Sequence, residues 1–313
     1  MKSSGERPDA VLIAGPTASG KTALAVKIAQ ELDGVVINAD SMQVYANLSV
    51  VTARPSEEEM QGVPHLLFGH VDESEAYSVA RWLEDAGAAL ESVRSQGKVP
   101  VFAGGTGLYF KALLEGLSPV PPVDGDVREE LRRISRDTPD EIYSMLAKED
   151  PEGLSRLKDN DLQRAVRALE VVMSSGRTLA DWQMQGEVAP LVEPGRTVRL
   201  LIEWPVEELR ERIALRFERM VEAGALIEIE RLLARSLDTA LPAMRAIGVP
   251  QLASHLRGEA DLSEAIDRAV IASRQYAKRQ RTWFRHQFDV TWTGIPGKNP
   301  EQMLTKLGLL DDF

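Results

Sequence analysis

Ala10-Val11-Leu12-Ile13-Ala14-Gly15-Pro16-Thr17-Ala18-Ser19-Gly20-Lys21-Thr22 decides how the rest of this 313-residue chain is read. The first five residues predict a buried strand. Gly15 to Thr22 fits the spacing G-x-x-x-x-G-K-[ST], and Leu24, Val26, Ile28 and Leu32 supply the apolar residues of a helix that the loop opens. Glycines let successive backbone N–H groups curl around an anion, and the helix N-terminus adds partial positive charge. Lys21 is a mobile cation, and the Thr22 hydroxyl suits the Mg²⁺ that accompanies a polyphosphate. An ordinary glycine-rich turn is the plainer alternative, but strand, loop and helix in this register argue against it. The loop implies a polyphosphate and leaves open which molecule carries it.

Working outward, Val35–Asn38, His65–Phe68 and Val99–Ala103 read as further strands, with an amphipathic helix from about Ser78 to Ser95 between the last two. Strand and helix alternating at this spacing predict an α/β fold, a P-loop NTPase-like parallel sheet with helices on both faces. The pattern changes at Ser118-Pro119-Val120-Pro121-Pro122, which cannot lie inside a helix or central strand. From Val127 to about Trp182 only helical periods occur, and strand character returns at Thr197–Glu203. The expected organisation is a first part of the core over 1–117, an inserted all-helical domain over 118–195, and core completion with a helical C-terminal part over 196–313. A helix starting at Pro205 and another from Leu262 to Phe288 dominate that last part.

The formal charge of −11 gives no overall signature of nucleic-acid binding, although a local basic surface is compatible with it. There is no cysteine, which excludes disulfides, a thiol nucleophile and cysteine-based zinc modules. The four histidines have no metal-ligand grouping. No long apolar run predicts a membrane span, and residues 1–9 lack the apolar stretch of a signal peptide. The expectation is a soluble, cytoplasmic monomer.

Asp40-Ser41-Met42-Gln43-Val44-Tyr45 follows the second strand. Ligands of open α/β sheets sit at the carboxyl ends of the strands, so Asp40 should emerge beside the phosphate loop. It could hold Mg²⁺, accept a proton from a substrate, or merely form an Asx turn. Gly104-Gly105-Thr106-Gly107 follows the fourth strand and should line the same crevice. Arg212, Arg216 and Arg219 recur at helical spacing and suit either a phosphate contact or a solvated face paired with Glu208 and Glu222. Arg268 to His286 carries six basic residues interleaved with Tyr276, Trp283 and Phe284 and no acidic one, a composition suited to RNA phosphates and base stacking or to a solvated helix face.

Together GPTASGKT (Gly15–Thr22), DSMQVY (Asp40–Tyr45), GGTGLYFKALLEGLSP (Gly104–Pro119) and RQYAKRQRTWFR (Arg274–Arg285) resemble the tRNA dimethylallyltransferases, also called tRNA isopentenyltransferases, with order and spacing kept from about Val11 to Asp289. The resemblance implies transfer of a dimethylallyl group from dimethylallyl diphosphate to N6 of the adenosine immediately 3′ of the anticodon. The tRNAs concerned read codons beginning with U, and diphosphate is released. It implies Asp40 as general base with Thr106 in the catalytic set. Gly15, Pro16, Thr17, Ala18, Ser19, Gly20, Lys21, Thr22 and Arg216 would hold the diphosphate, with Thr22 on Mg²⁺. Asp40, Ser41, Met42, Gln43, Thr106, Arg128, Asn160, Asp161, Gln163, Arg164, Arg245, Lys278, Arg279 and Arg281 would meet tRNA, whose target base must leave its stack to reach Asp40.

Two departures stand out. Gly248-Val249-Pro250 replaces the family's usual Gly-Tyr-Arg or Gly-Tyr-Lys, and Val51-Thr52-Ala53 replaces Gly-Thr-Ala. The competing readings are an adenylate isopentenyltransferase acting on free nucleotide and a P-loop small-molecule kinase. The helical insertion and the basic C-terminal helix favour a large RNA over either.

Overall fold

Six short strands form one parallel sheet, and the segments between them are largely helical because their apolar residues recur at helical spacing. The structure is a computed structural model describing residues 7–158, 161–185 and 189–309. In chain order the first elements are β1 (Ala10–Ala14), α1 (Lys21–Glu31), β2 (Gly34–Asn38), α2 (Glu57–Met60), β3 (His65–Leu66), α3 (Val79–Ser95), β4 (Val99–Gly104) and α4 (Gly107–Glu115). The helical stretch follows as α5 (Gly125–Asp137), α6 (Pro139–Glu149), α7 (Pro151–Ser155), α8 (Leu162–Ser175) and α9 (Leu179–Met184). The chain then returns with β5 (Thr197–Glu203), α10 (Val206–Glu222), α11 (Ala225–Ala234), α12 (Val249–Leu256), α13 (Leu262–Gln287), β6 (Thr293–Pro296) and α14 (Glu301–Lys306).

The sheet order is β3-β2-β4-β1-β5-β6, and every neighbouring pair is parallel. β1, β2 and β4 are buried along their whole length, which explains why they read as continuous apolar runs rather than alternating ones. The strand expected over His65–Phe68 stops at Leu66, because Leu67 adopts φ +62° and turns the backbone away. β6, which the sequence reading missed, pairs with β5 at the sheet edge through a four-residue segment containing Gly294 and Pro296.

The chain divides into two compact units, one running to Leu114 and resuming at Leu191, the other Glu115–Pro190. These changeovers lie a few residues before the sequence-derived boundaries at 117/118 and 195/196. In the first unit one core joins the sheet to α1, while a second gathers α10–α13 around Val44, Tyr45 and Leu48 of the segment that follows Asp40. The helical unit has its own core of Leu131, Ile134, Ile142, Leu146, Ala165 and Leu169. The acidic start of α2 is capped by Ser56 and Glu59, which form a reciprocal capping box.

Candidate active site

The phosphate loop bends through two left-handed residues, Ala18 at φ +61° and Gly20 at φ +90°. Gly15 is enclosed as well, since a Cβ there would lie 2.8 Å from Ser19 Oγ and 3.2 Å from Ile202. Lys21 folds back to donate from Nζ to the Pro16 carbonyl at 2.8 Å. Thr22 stands in the first turn of α1. Together with Lys21, Asp40 and Arg216 it lines a small polar cavity of about 70 Å³.

Side chains from distant elements close over this loop. Arg216 on α10 donates to Thr17 Oγ1 at 3.1 Å and to the Thr52 carbonyl at 3.4 Å. Arg212, one turn earlier, donates from Nε to the Ala18 carbonyl at 2.8 Å and stacks on Trp204, whose own indole N–H donates to the Ser19 carbonyl at 3.0 Å. The solvated-face alternative therefore fails for these two arginines; Glu208 pairs instead with Lys298. Burial pushes the Lys21 ammonium down to about pKa 8, with Arg216 acting in the same direction and Asp40 opposing. Burial likewise lowers Arg216, again opposed by Asp40. An anion in the cradle would relieve both penalties.

Asp40 leaves β2 beside the loop, as the strand-end rule predicts. Its Oδ1 accepts from the Met42 N–H at 3.0 Å, so the Asx turn exists, while Oδ2 has no hydrogen-bond partner among the described residues. Thr106 braces this corner: its Oγ1 accepts from the Ser41 N–H at 2.9 Å and donates to Ser41 Oγ at 3.3 Å, and its N–H donates to the Ala39 carbonyl at 3.2 Å. The Gln43 side-chain N–H groups donate to the Thr52 and Ala53 carbonyls, both at 3.0 Å, so this residue pins the turn below the cavity.

A second cavity of about 280 Å³ adjoins the first and shares Thr17, Asp40, Thr52 and Arg216 with it. Its apolar wall is Val51, Ile213, Phe217, Met220 and Ile247; its polar rim includes Ser41, Arg245, Tyr276 and Arg279. Arg279 stacks on Tyr276, whose phenol is raised above its ordinary pKa by burial and then by Asp40. Lys278 and Arg281 lie elsewhere on α13, lining a groove against α10 with Arg274 and Arg285. The three basic candidates of this helix thus divide between two surfaces. Trp283 packs over Gly107 and edge-on to Phe284 and Phe288, a packing role.

In the helical unit, Asp161 caps α8 by accepting from the Arg164 N–H at 3.2 Å, and Gln163 and Arg164 are exposed in the first turn. Arg128 approaches Glu170 at 3.8 Å. Asn160 lies outside the described residues. Among the described residues no cluster of three His, Asp or Glu could hold a metal, and no helix is long and apolar enough to cross a membrane. Sequence reasoning missed Gln280 of α13 and the loop contact of Arg212. The available signal for Gln280 was a polar residue on the apolar stripe that Ala277 and Phe284 define.

A parallel sheet carrying a phosphate loop, interrupted by a helical unit, defines an α/β P-loop protein with an insertion. The IPP transferase family model matches residues 43–287 and the isopentenyl transferase model residues 8–70. The chain is 49% identical over 304 residues to tRNA dimethylallyltransferase of Azorhizobium caulinodans, covering 97% of each, and 53% identical over 279 residues to that of a Bradyrhizobium species, covering 89% and 90%. Among solved structures, the tRNA isopentenylpyrophosphate transferase of Bacillus halodurans matches with TM-score 0.67 at 33% identity, over 96% of this chain and 94% of that one. A eukaryotic dimethylallyltransferase captured acting on tRNA matches with TM-score 0.78 at 28% identity, over 96% and 76%. This chain belongs to the IPP transferase family.

Proposed function

We propose that this protein is a cytoplasmic, monomeric enzyme that transfers the dimethylallyl group of dimethylallyl diphosphate to N6 of the adenosine immediately 3′ of the anticodon in tRNAs reading codons that begin with U. One observation carries the reading: Asp40 lies where the anion cradle and the apolar cavity meet. The donor's diphosphate fits the cradle, and its five-carbon chain fits the wall of Val51, Ile213, Phe217 and Met220. The acceptor base then enters past Tyr276 and Arg279. The C–O bond to diphosphate breaks as the N6–C bond forms; the diphosphate keeps the bonding electron pair, and Asp40 takes the proton released from N6. The exocyclic amine is a weak nucleophile because its lone pair is delocalised into the ring, so base assistance is worth about 10²–10⁴ in rate.

Loop N–H groups, Lys21 and Arg216 meet the charge that grows on the leaving group. Thr106 holds the Asp40 corner in place through Ser41. The oxygen donors of the small cavity, Thr22 and Asp40 among them, suit Mg²⁺, which keeps several waters and takes few protein ligands. Thr22 would hold it, and bound there it would neutralise diphosphate charge. Arg245 and Arg279 rim the acceptor side, and Arg128, Asp161, Gln163 and Arg164 of the helical unit would contact the RNA backbone or loop.

Incubating the protein with labelled dimethylallyl diphosphate and bulk tRNA should label adenosine N6, with excess AMP failing to compete. Preferential labelling of AMP would move the acceptor to free nucleotide. ATP turnover without prenyl transfer would overturn the proposal in favour of a kinase.

A further inference from the structure

Gln280 sits on the apolar stripe of α13 and is 5% exposed. A buried amide needs partners, and this one takes them from two different parts of the site. Its Oε1 accepts from the Thr17 N–H of the phosphate loop at 2.9 Å, and its Nε2 donates to the Gly105 carbonyl at 2.9 Å. Glycine is required at 105 for this arrangement, because a Cβ there would collide with Gln280 Nε2. Thr106 follows immediately and bonds to Ser41 and Ala39 on either side of Asp40. A continuous path therefore runs from Thr17 through Gln280, Gly105 and Thr106 to the Asp40 corner.

We infer that Gln280 is a positioning residue, an inference that rests on the proposed transferase reading for the identity of the anion. It touches no reacting atom. It holds the phosphate loop in register with the Asp40 corner from the same helix that presents Arg279 and Tyr276 to the acceptor cavity. The bond falls on the residue next to Ala18, a non-glycine held at φ +61°. The Thr17 N–H, deprived of its acceptor, would be a part-buried unpaired donor, and the loop would relax to satisfy it.

The test uses the full chain, inorganic diphosphate with Mg²⁺ as the probe, and calorimetry in the absence of RNA. Gln280→Ala should raise Kd about tenfold, the effect of one lost hydrogen bond to an otherwise unpaired, part-buried donor. Gln280→Met, which keeps the packing volume but accepts no comparable bond, should do the same where the alanine variant folds poorly. Gly105→Ala should weaken binding similarly by displacing the amide. Placed on Gln280→Ala it should add nothing, because the atom it strikes is gone. Unchanged Kd in folded Gln280→Ala and Gln280→Met, or additive losses in the double variant, would overturn the inference. If the variants show this coupling while the wild-type protein transfers no prenyl group, the functional reading fails and the positioning role stands.

Discussion

Arg216 on α10 donates to Thr17 Oγ1 at 3.1 Å across 199 residues of sequence, so the phosphate loop is completed by a helix that lies beyond the entire insertion. The same guanidinium reaches the Thr52 carbonyl in the turn after Asp40. One side chain therefore touches both the cradle and the wall of the adjoining cavity.

Replacing Arg216 by Gln should chiefly weaken the donor. Hydrogen bonds to charged groups are worth about 1.5–3 kcal/mol, or roughly 10- to 100-fold in affinity. Steady-state kinetics at saturating tRNA should show KM for dimethylallyl diphosphate rising by that factor. Arg212→Gln, whose guanidinium is spent on Ala18 and Trp204, should have a smaller effect.

Asp40→Asn separates chemistry from folding. Asparagine keeps an oxygen for the Met42 N–H, so the Asx turn survives and thermal unfolding should be unchanged. Single-turnover transfer should fall by about 10²–10⁴ as base assistance is lost. Wild-type transfer in this variant would remove Asp40 as the proton acceptor.

Lys21 sets an alkaline limit. With its folded pKa lowered to about 8 from 10.5, the free protein loses this positive charge as pH rises through 8. Donor affinity should decline above that pH, and binding should take up protons, measurable by calorimetry in buffers of different ionisation enthalpy. Asp40→Asn removes the charge that supports the ammonium, so the decline should begin at lower pH. The stability effect has the opposite sign. Between pH 8 and 10.5 the unfolded chain binds more protons at this site, so its contribution to folding becomes more favourable as pH rises.

Glu228 of α11 is a structural clamp on the cavity wall. Its carboxylate accepts from the N–H groups of Ser49, Val50 and Val51 at 2.6–2.8 Å, and from Ser49 Oγ at 3.0 Å. Glu228→Ala should destabilise the fold by about 1–3 kcal/mol, measured by urea denaturation. Val51 and Thr52 of the cavity wall should loosen with it, raising donor KM in the folded fraction.

Tyr276, Arg279 and Arg245 line the cavity proposed to take the acceptor base. Arg279→Gln and Arg245→Gln should each raise KM for tRNA more than KM for the donor. If each meets one phosphate of the unpaired loop, the log–log salt dependence of RNA binding should lessen by about 0.7 per substitution.

The two segments that depart from the family pattern meet in space at Gly248, the residue of its segment that the pattern keeps. Val51 packs against Gly248, which has φ +103°, and any Cβ at 248 would collide with Val51 Cγ2. Val249 is buried at the start of α12, while Pro250 is exposed in its first turn, where a proline needs no N–H partner. The contact between Val51 and Gly248 joins segments nearly 200 positions apart, a relation invisible in the sequence.

Local chemistry alone determined the strand, loop and helix around Gly15–Thr22, the emergence of Asp40 at a strand end, and the helical character of residues 127–182. Each of these depends on neighbours in the chain, through periodicity, turn residues and capping. What only the tertiary structure decided is convergence. Arg216, Arg212 and Gln280 reach the loop because α10 and α13 pack over it; helical spacing alone left the first two as candidates for a solvated face and the third as one more residue of a basic helix. The early end of β3 and the whole of β6 were hidden for a related reason, since a strand cut short by a left-handed leucine and an edge strand containing glycine and proline acquire their form from the strands beside them.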